Sequence, residues 1–320
     1  MTAAPYLQRY RERRAGSDGA LAPLAHRRVV AAPPRQDGEH PHGWHETTHS
    51  PEITVDGHPA DQTSLDLHLV RHGETQSYLA DAGLTPRGTW QSRRCGQGLA
   101  AEVRDGEIVR LLCAPTARAA QTADQVRLGL EDGLAACGRD ATVLVPEPSL
   151  AFRNFQLLTP AGVLDPTSAA GEYRSALSRP APRQKGARPL WQLELSRFWV
   201  LQSGGGDPIE YWMTSPLLTF EPPAAVVRRL WAGAVRLAAS APSSRHTRVV
   251  CCTHSGPMRA FATWALGHDA GEPSNTEQVR VRLWHDRGRA LVTYRGRTQE
   301  INEPPVREGT PWWDLPDPPG

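Results

Sequence analysis

The stretch Leu65-Asp66-Leu67-His68-Leu69-Val70-Arg71-His72-Gly73-Glu74-Thr75 decides the fold. Leu65 to Val70 is a short strand signal, and it runs directly into Arg71-His72-Gly73. The arrangement returns near the other end of the chain. There Arg248 to Cys252 reads as a strand that runs into Thr253-His254-Ser255-Gly256. Ligands of open α/β sheets bind at the carboxyl ends of strands, so both imidazoles are expected in one crevice.

Between these two strands the pattern alternates. Thr85-Pro86 predicts a helix through about Ala101, with Thr85 as N-cap and Pro86 at the first helical position. Ile108 to Cys113 reads as a buried strand, and Pro115-Thr116 starts a helix with Arg118 in its first turn. Thr142-Val143-Leu144-Val145 is a further strand, ended by Pro146. Pro222-Pro223 opens a helix from Ala224 to Ala239, and another follows His254 to about Leu266. Gln278 to Trp284 and Arg289 to Tyr294 read as a terminal hairpin turning at Asp286-Arg287-Gly288. Alternating strands and helices predict a three-layer α/β/α sandwich with a mostly parallel sheet.

Residues 64–303 are expected to form one catalytic domain, with 155–221 as an inserted cap that is irregular and partly helical. This insertion holds Gly204-Gly205-Gly206 and Trp191, Trp199 and Trp212, which read as packing residues together with Trp264 and Trp284. Residues 1–63 read as a loosely ordered N-terminal extension, and 304–320 as a Pro-rich tail. His40, His42, His45 and His49 leave two other options for the extension, a metal site or a lid over the crevice.

Composition excludes some function classes. With 36 Lys and Arg against 34 Asp and Glu, the formal net charge is only +2, too little for an extended nucleic-acid surface. Lys185 is the only lysine, and most of the arginines follow a composition also rich in Ala and Pro; Arg71 and Arg118 are the exceptions. Five cysteines without a repeating spacing do not make a disulfide framework, and no C-x-x-C pair marks a zinc site. Cys251 and Cys252 should point to opposite faces of their strand and pack. No apolar region follows Arg9, Arg11, Arg13 and Arg14, and no apolar run reaches membrane-spanning length. A cytoplasmic protein with no membrane or nucleic-acid partner is expected. Oligomeric state is not legible.

The residues at the strand ends suit a phosphoryl group. Its oxygens carry dispersed negative charge, and the planar arginine fork binds them bidentately without ever losing its own charge. A neutral imidazole is a suitable nucleophile, and neighbouring arginines disfavour its protonation. His72 is the expected nucleophile, with Arg71 and Arg118 on the phosphate and His254 as a second imidazole. Gly73 is expected to let the backbone turn closely around the phosphate, and Ser255 to offer the start of a helix to it. The helix N-terminus at Arg118 is expected to face the same crevice.

Four tracts now resemble one family, the histidine phosphatase superfamily, also called phosphoglycerate-mutase-like. They are Arg71-His72-Gly73-Glu74-Thr75, Leu84-Thr85-Pro86-Arg87-Gly88, Ala114 to Ala123 around Arg118, and Val249 to Gly256 with Leu266-Gly267. The resemblance covers roughly residues 65 to 300, with gaps. It implies a phosphohistidine intermediate on His72 and a phosphate pocket of Arg71, Arg118 and His254. It also implies chemistry on a small phosphorylated substrate that needs no metal or other cofactor.

The sequence departs from the family pattern at the proton donor. In the mutase branch a glutamate follows the third strand in a Leu-x-Glu context, where this chain has Leu150-Ala151-Phe152. In the acid-phosphatase branch a carboxylate follows the second histidine, where this chain has Ser255. Tyr78 and Ala114 replace a common asparagine and serine. Three explanations stay open. Another carboxylate serves as the acid, with Glu210 the first choice and Asp207, Glu172 and Glu147 the others. Alternatively, the leaving group needs no acid, or the pocket only binds phosphorylated ligands. A phosphatase is the leading expectation, with a mutase or a non-catalytic binding protein as alternatives.

Overall fold

Strand β2 (Thr63–Arg71) buries both faces, because its alternation serves two cores. Leu65, Leu67 and Leu69 enter one apolar cluster and Val70 enters the other. The computed structural model describes residues 27–29, 63–77, 81–178, 188–241, 247–284 and 288–305. Expectations for the histidine-rich extension, Tyr78, the turn at Asp286-Arg287 and the Pro-rich tail fall outside these residues.

In chain order the remaining elements begin with β1 (Arg27–Val29), α1 (Pro86–Ala100), β3 (Ile108–Cys113), α2 (Ala117–Cys137), β4 (Ala141–Val143) and β5 (Glu147–Pro148). A ribbon of β6 (Leu157–Thr159) and β7 (Gly162–Leu164) follows, then helices α3 (Pro166–Ser178), α4 (Leu190–Ser203), α5 (Pro208–Thr214) and α6 (Pro223–Ser240). The chain continues through β8 (Thr247–Thr253), α7 (Ser255–Leu266), β9 (Gln278–Trp284), β10 (Arg289–Tyr294) and β11 (Arg297–Asn302).

The main sheet has the order β1-β4-β3-β8-β2-β9-β10-β11, with β5 added to β3. Its centre, β4-β3-β8-β2, is parallel, and the flanking strands are antiparallel. Helices α1 and α2 cover one face, and α6 and α7 cover the other. This is the expected three-layer α/β/α sandwich with a parallel core. Cys251 and Cys252 are buried free thiols in opposite clusters, as their adjacency requires. Thr85 caps α1 by accepting the Gly88 N–H at 3.0 Å.

Two expectations are corrected. The terminal hairpin is a three-stranded meander, because Arg295 and Gly296 both take positive φ and return the chain into β11. Residues 155–221 are more regular than their Gly and Pro content implies, with one ribbon and three helices among the described residues. Two Asp-Pro pairs are the local cause. Asp165 accepts the Thr167 N–H at 2.9 Å at the start of α3, and Asp207 accepts the Ile209 and Glu210 N–H groups at the start of α5.

Treating most arginines as compositional background also proves too coarse. Arg248 is buried against Asp66 and Glu107 at 3.0 and 3.1 Å, beneath α1 and α2. Arg259 on α7 grips Asp269 and reaches Asp207, which ties the N-terminus of α5 to α7. Arg229 on α6 pairs with Glu221 and donates to the Ala151, Arg153 and Asn154 carbonyls. A buried arginine keeps its charge only where such partners replace water.

Candidate active site

Register brings the two histidines together. β2 and β8 are parallel neighbours with Arg71 opposite Thr253, so the next residue on each strand, His72 and His254, emerges at the same edge. The His72 N–H donates to the Thr253 carbonyl at 2.9 Å, and the two imidazoles meet edge-on with centroids 5.3 Å apart. β3 lies on the far side of β8, and the turn after it delivers Arg118 in the first turn of α2.

Arg71, His72, Arg118, His254 and Ser255 line one cavity of ≈ 150 Å³. His72 Nδ1 lies 2.8 Å from the Gly73 carbonyl, which can only accept, so Nδ1 carries the proton and the neutral ring has its lone pair on Nε2. Burial, followed by the Arg118 charge, holds the His72 pKa well below the ordinary histidine value. His254 is lowered for the same two reasons, with smaller effects from His72 and Arg71. Both rings are therefore neutral near pH 7. The Thr116 hydroxyl sits 3.3 Å from His254 Nε2, and the Asn275 amide donates to the His72 carbonyl at 2.9 Å.

Gly73 does not act as expected. Its N–H is taken by the Thr122 hydroxyl at 3.0 Å, and a Cβ there would lie 2.5 Å from the Gly88 carbonyl oxygen. A Cβ on Gly88 would in turn lie 2.1 Å from the Glu74 carbonyl oxygen. The two glycines let the loop after His72 press against α1; they do not open backbone to a phosphate. The N-terminus of α2 is likewise occupied. Asp81 accepts the Ala117 N–H at 2.8 Å and pairs with Arg118 Nη1 at 3.3 Å. Burial raises the Asp81 pKa, although the Ala117 bond and the Arg118 charge pull it back.

Glu210 is not at the cavity. It is exposed on α5, because Asp207 caps that helix and leaves Ile209 facing inward. Asp207 itself is bound to Arg259 at 2.6 Å, which together with the backbone N–H bonds holds its carboxyl low against the opposing effect of burial. Glu172 borders a separate surface groove, and Glu147 is exposed on β5. Phe152 is turned into the core, where its ring packs on Gly233 and its carbonyl accepts the Thr253 hydroxyl at 2.6 Å.

Sequence reasoning missed several contributors. Glu272 lines the cavity and pairs with Arg71 Nη2 at 3.1 Å, while Arg71 Nη1 donates to the Pro273 carbonyl. Asn154 and Phe155 form part of the wall and adjoin the Phe152 position, a signal that was available. Glu272 carried none, since it lies about two hundred residues from Arg71 along the chain. Among the described residues, no group of three or more His, Cys, Asp or Glu side chains is arranged to hold a metal, and no helix is long and apolar enough to cross a membrane.

A family model described as the histidine phosphatase superfamily (branch 1) matches residues 67–136. No curated protein matches the chain significantly by sequence. Similar solved structures include a mycobacterial glucosyl-3-phosphoglycerate phosphatase in complex with VO3, 18% identical, covering 69% of this chain and 96% of that one with a TM-score of 0.40. A phosphoglycerate mutase from Bacillus anthracis is 14% identical, covering 76% and 94% with a TM-score of 0.43. A phosphoserine phosphatase from Entamoeba histolytica, in complex with 3-phosphoglyceric acid, is 14% identical, covering 73% and 96% with a TM-score of 0.39. These likenesses concern the fold alone. Over residues 67–136 the chain is similar in sequence to the histidine phosphatase superfamily, branch 1.

Proposed function

We propose that this protein is a phosphatase that hydrolyses a small phosphomonoester through a phosphohistidine on His72. The observation that carries the reading is the cavity in which two neutral imidazoles, with centroids 5.3 Å apart, stand between Arg71 and Arg118. A phosphate dianion entering there meets two guanidinium groups in a largely buried site, where charge-assisted bonds are strong. His72 Nε2 attacks phosphorus, the ester oxygen departs, and water then displaces the histidine. The arginines supply the positive charge, so the reaction needs no metal or other cofactor. Residues 64–303 act as one catalytic domain, and the 155–221 insertion sets specificity by forming the wall opposite the phosphate.

The test is phosphate release from a panel of phosphorylated metabolites in the presence of EDTA. Wild type should release phosphate, and His72→Ala should abolish it. Arg118→Ala and His254→Ala should each impair it by about 10²-fold or more. Isomer formed without free phosphate would replace hydrolysis by a mutase reaction. Ligand binding with neither product would reduce the site to a binding pocket. Full activity in His72→Ala would remove the covalent step.

A further inference from the structure

The cavity beyond the phosphate position has a definite chemistry. Its lining also holds Phe155, Phe198, Trp199 and Ile209, together with Pro166, Thr167 and Gln202. Phe155 is fixed by stacking on Trp212, with centroids 4.3 Å apart and an interplanar angle of 15°, and by edge contact with Phe198 at 5.9 Å. A Cβ on Gly256 would lie 2.7 Å from the Phe155 ring, so α7 packs directly against this block. The aromatic part of the lining is therefore rigidly held, beside the polar Thr167 and Gln202.

Charge at the cavity is equally specific. Among the described residues, the cations lining it are Arg71 and Arg118, both beside the histidines. Among the described residues, Glu272 is the one carboxylate in the lining, and it is held as the counter-ion of Arg71. Among the described residues of the lining, a second anionic group on the substrate would find no further cation and would meet Glu272. Phe152 is turned away, so that no carboxylic acid stands where the family pattern places one. Asn154 lines the cavity instead, and its Oδ1 accepts the Phe155 N–H at 3.0 Å, which orients the amide. An amide can hydrogen-bond a departing oxygen but cannot protonate it.

Building on the phosphatase reading above, we infer that the substrate class is aryl phosphomonoesters: a ring that rests on the aromatic face and a phenolic oxygen that leaves as an anion. In the first step the His72 Nε2–P bond forms as the P–O(aryl) bond breaks, and the electron pair leaves on the phenolate oxygen. In the second, a water oxygen bonds to phosphorus as the N–P bond breaks. His72 returns neutral, and the two water protons end on the phenol and the phosphate. A phenolate is stable enough to depart without a proton, whereas an alkoxide is not.

The experiment compares kcat/KM for phenyl, benzyl, acetyl and ethyl phosphate and for 3-phosphoglycerate, with phosphohistidine followed in parallel. Benzyl phosphate keeps the ring but makes the leaving group an alkoxide. Acetyl phosphate keeps a good leaving group but lacks the ring. Phenyl phosphate should exceed benzyl phosphate by about 10²-fold or more, the size of a missing general acid. It should exceed acetyl phosphate through a lower KM, and Phe198→Ala should reduce that preference by about tenfold. Equal rates for phenyl and benzyl phosphate would overturn the departure as an anion. Preference for 3-phosphoglycerate would overturn the apolar substrate whose one anionic group is the phosphate. In both cases phosphate release and phosphohistidine would persist and the phosphatase reading would stand. Consumption of none of the five, with no phosphohistidine, would defeat that reading and this inference together.

Discussion

Replacing Arg229 by methionine should destabilise the protein strongly and weaken the cavity wall. Arg229 Nε and Nη2 contact the Glu221 carboxylate at 2.9 and 3.0 Å, and both residues are buried. Nη1 donates to the Ala151 and Arg153 carbonyls at 2.8 and 3.1 Å, and Nη2 to the Asn154 carbonyl at 3.3 Å. Methionine fills much of the volume but leaves Glu221 as an uncompensated buried charge, a loss of about 3–5 kcal/mol. That is a large share of the roughly 5–15 kcal/mol that holds a domain folded. At about 2–4 °C per kcal/mol, the midpoint should fall by roughly 10 °C. Thermal unfolding by circular dichroism would measure it. The double variant Arg229→Met with Glu221→Leu removes both charges and should recover part of the loss. Because Arg229 holds the segment leading to Asn154 and Phe155, the single variant should also lose activity while still folded. A fall below about 2 °C for Arg229→Met would refute the reasoning, because a buried pair with this geometry cannot be broken so lightly.

Other outcomes follow from the site. In the unfolded chain His72 and His254 titrate near pH ~6.5, whereas the folded protein holds both well below that. The unfolded state therefore binds more protons once the pH falls through about 6.5, so the stability present above that value is lost toward the folded pKa values. The midpoint should drop between about pH 7.5 and 5.5, and should drop less in the variant His72→Gln with His254→Gln; equal drops would contradict the burial argument. Gly88→Ala places a Cβ 2.1 Å from the Glu74 carbonyl oxygen and should destabilise by about 1–3 kcal/mol in a urea melt. Gly98→Ala, with nothing within 4 Å of its Cβ on the same helix, should stabilise by roughly 0.5–1 kcal/mol. The reverse order of the two would mean that the loop after His72 is not pressed on α1.

The site histidines were legible because their placement is local. A strand ending in His72 and a parallel neighbour ending in His254 share an edge once Arg71 stands opposite Thr253. Arg118 was legible for a related reason, since a helix starts just after the adjacent strand. Apart from Asn154 and Phe155, beside the Phe152 position, the wall of the cavity was not legible. Phe198 and Ile209 come from two helices, and only their packing shows that they face one space. Glu210 was misplaced although Asp207-Pro208 held the answer: that pair caps α5 and fixes which side chains of the first turn face inward. Gly73 was assigned to the phosphate because a glycine beside a reactive histidine suggests backbone access. Its partner in contact, Gly88, lies on another element. Glu272 and Asn275 reach Arg71 and His72 from a loop distant in sequence, which no spacing rule could reveal.

The central claim is that His72 becomes covalently phosphorylated during turnover. The most direct measurement is a rapid quench with phenyl phosphate at high pH, followed by peptide mass spectrometry of the wild-type protein. One phosphoryl group should be added, on His72, that forms before steady-state phosphate release, is removed by acid and is absent in His72→Ala. Steady phosphate release with no phosphoryl group on His72 at any quench time, or with the label on His254, would contradict it.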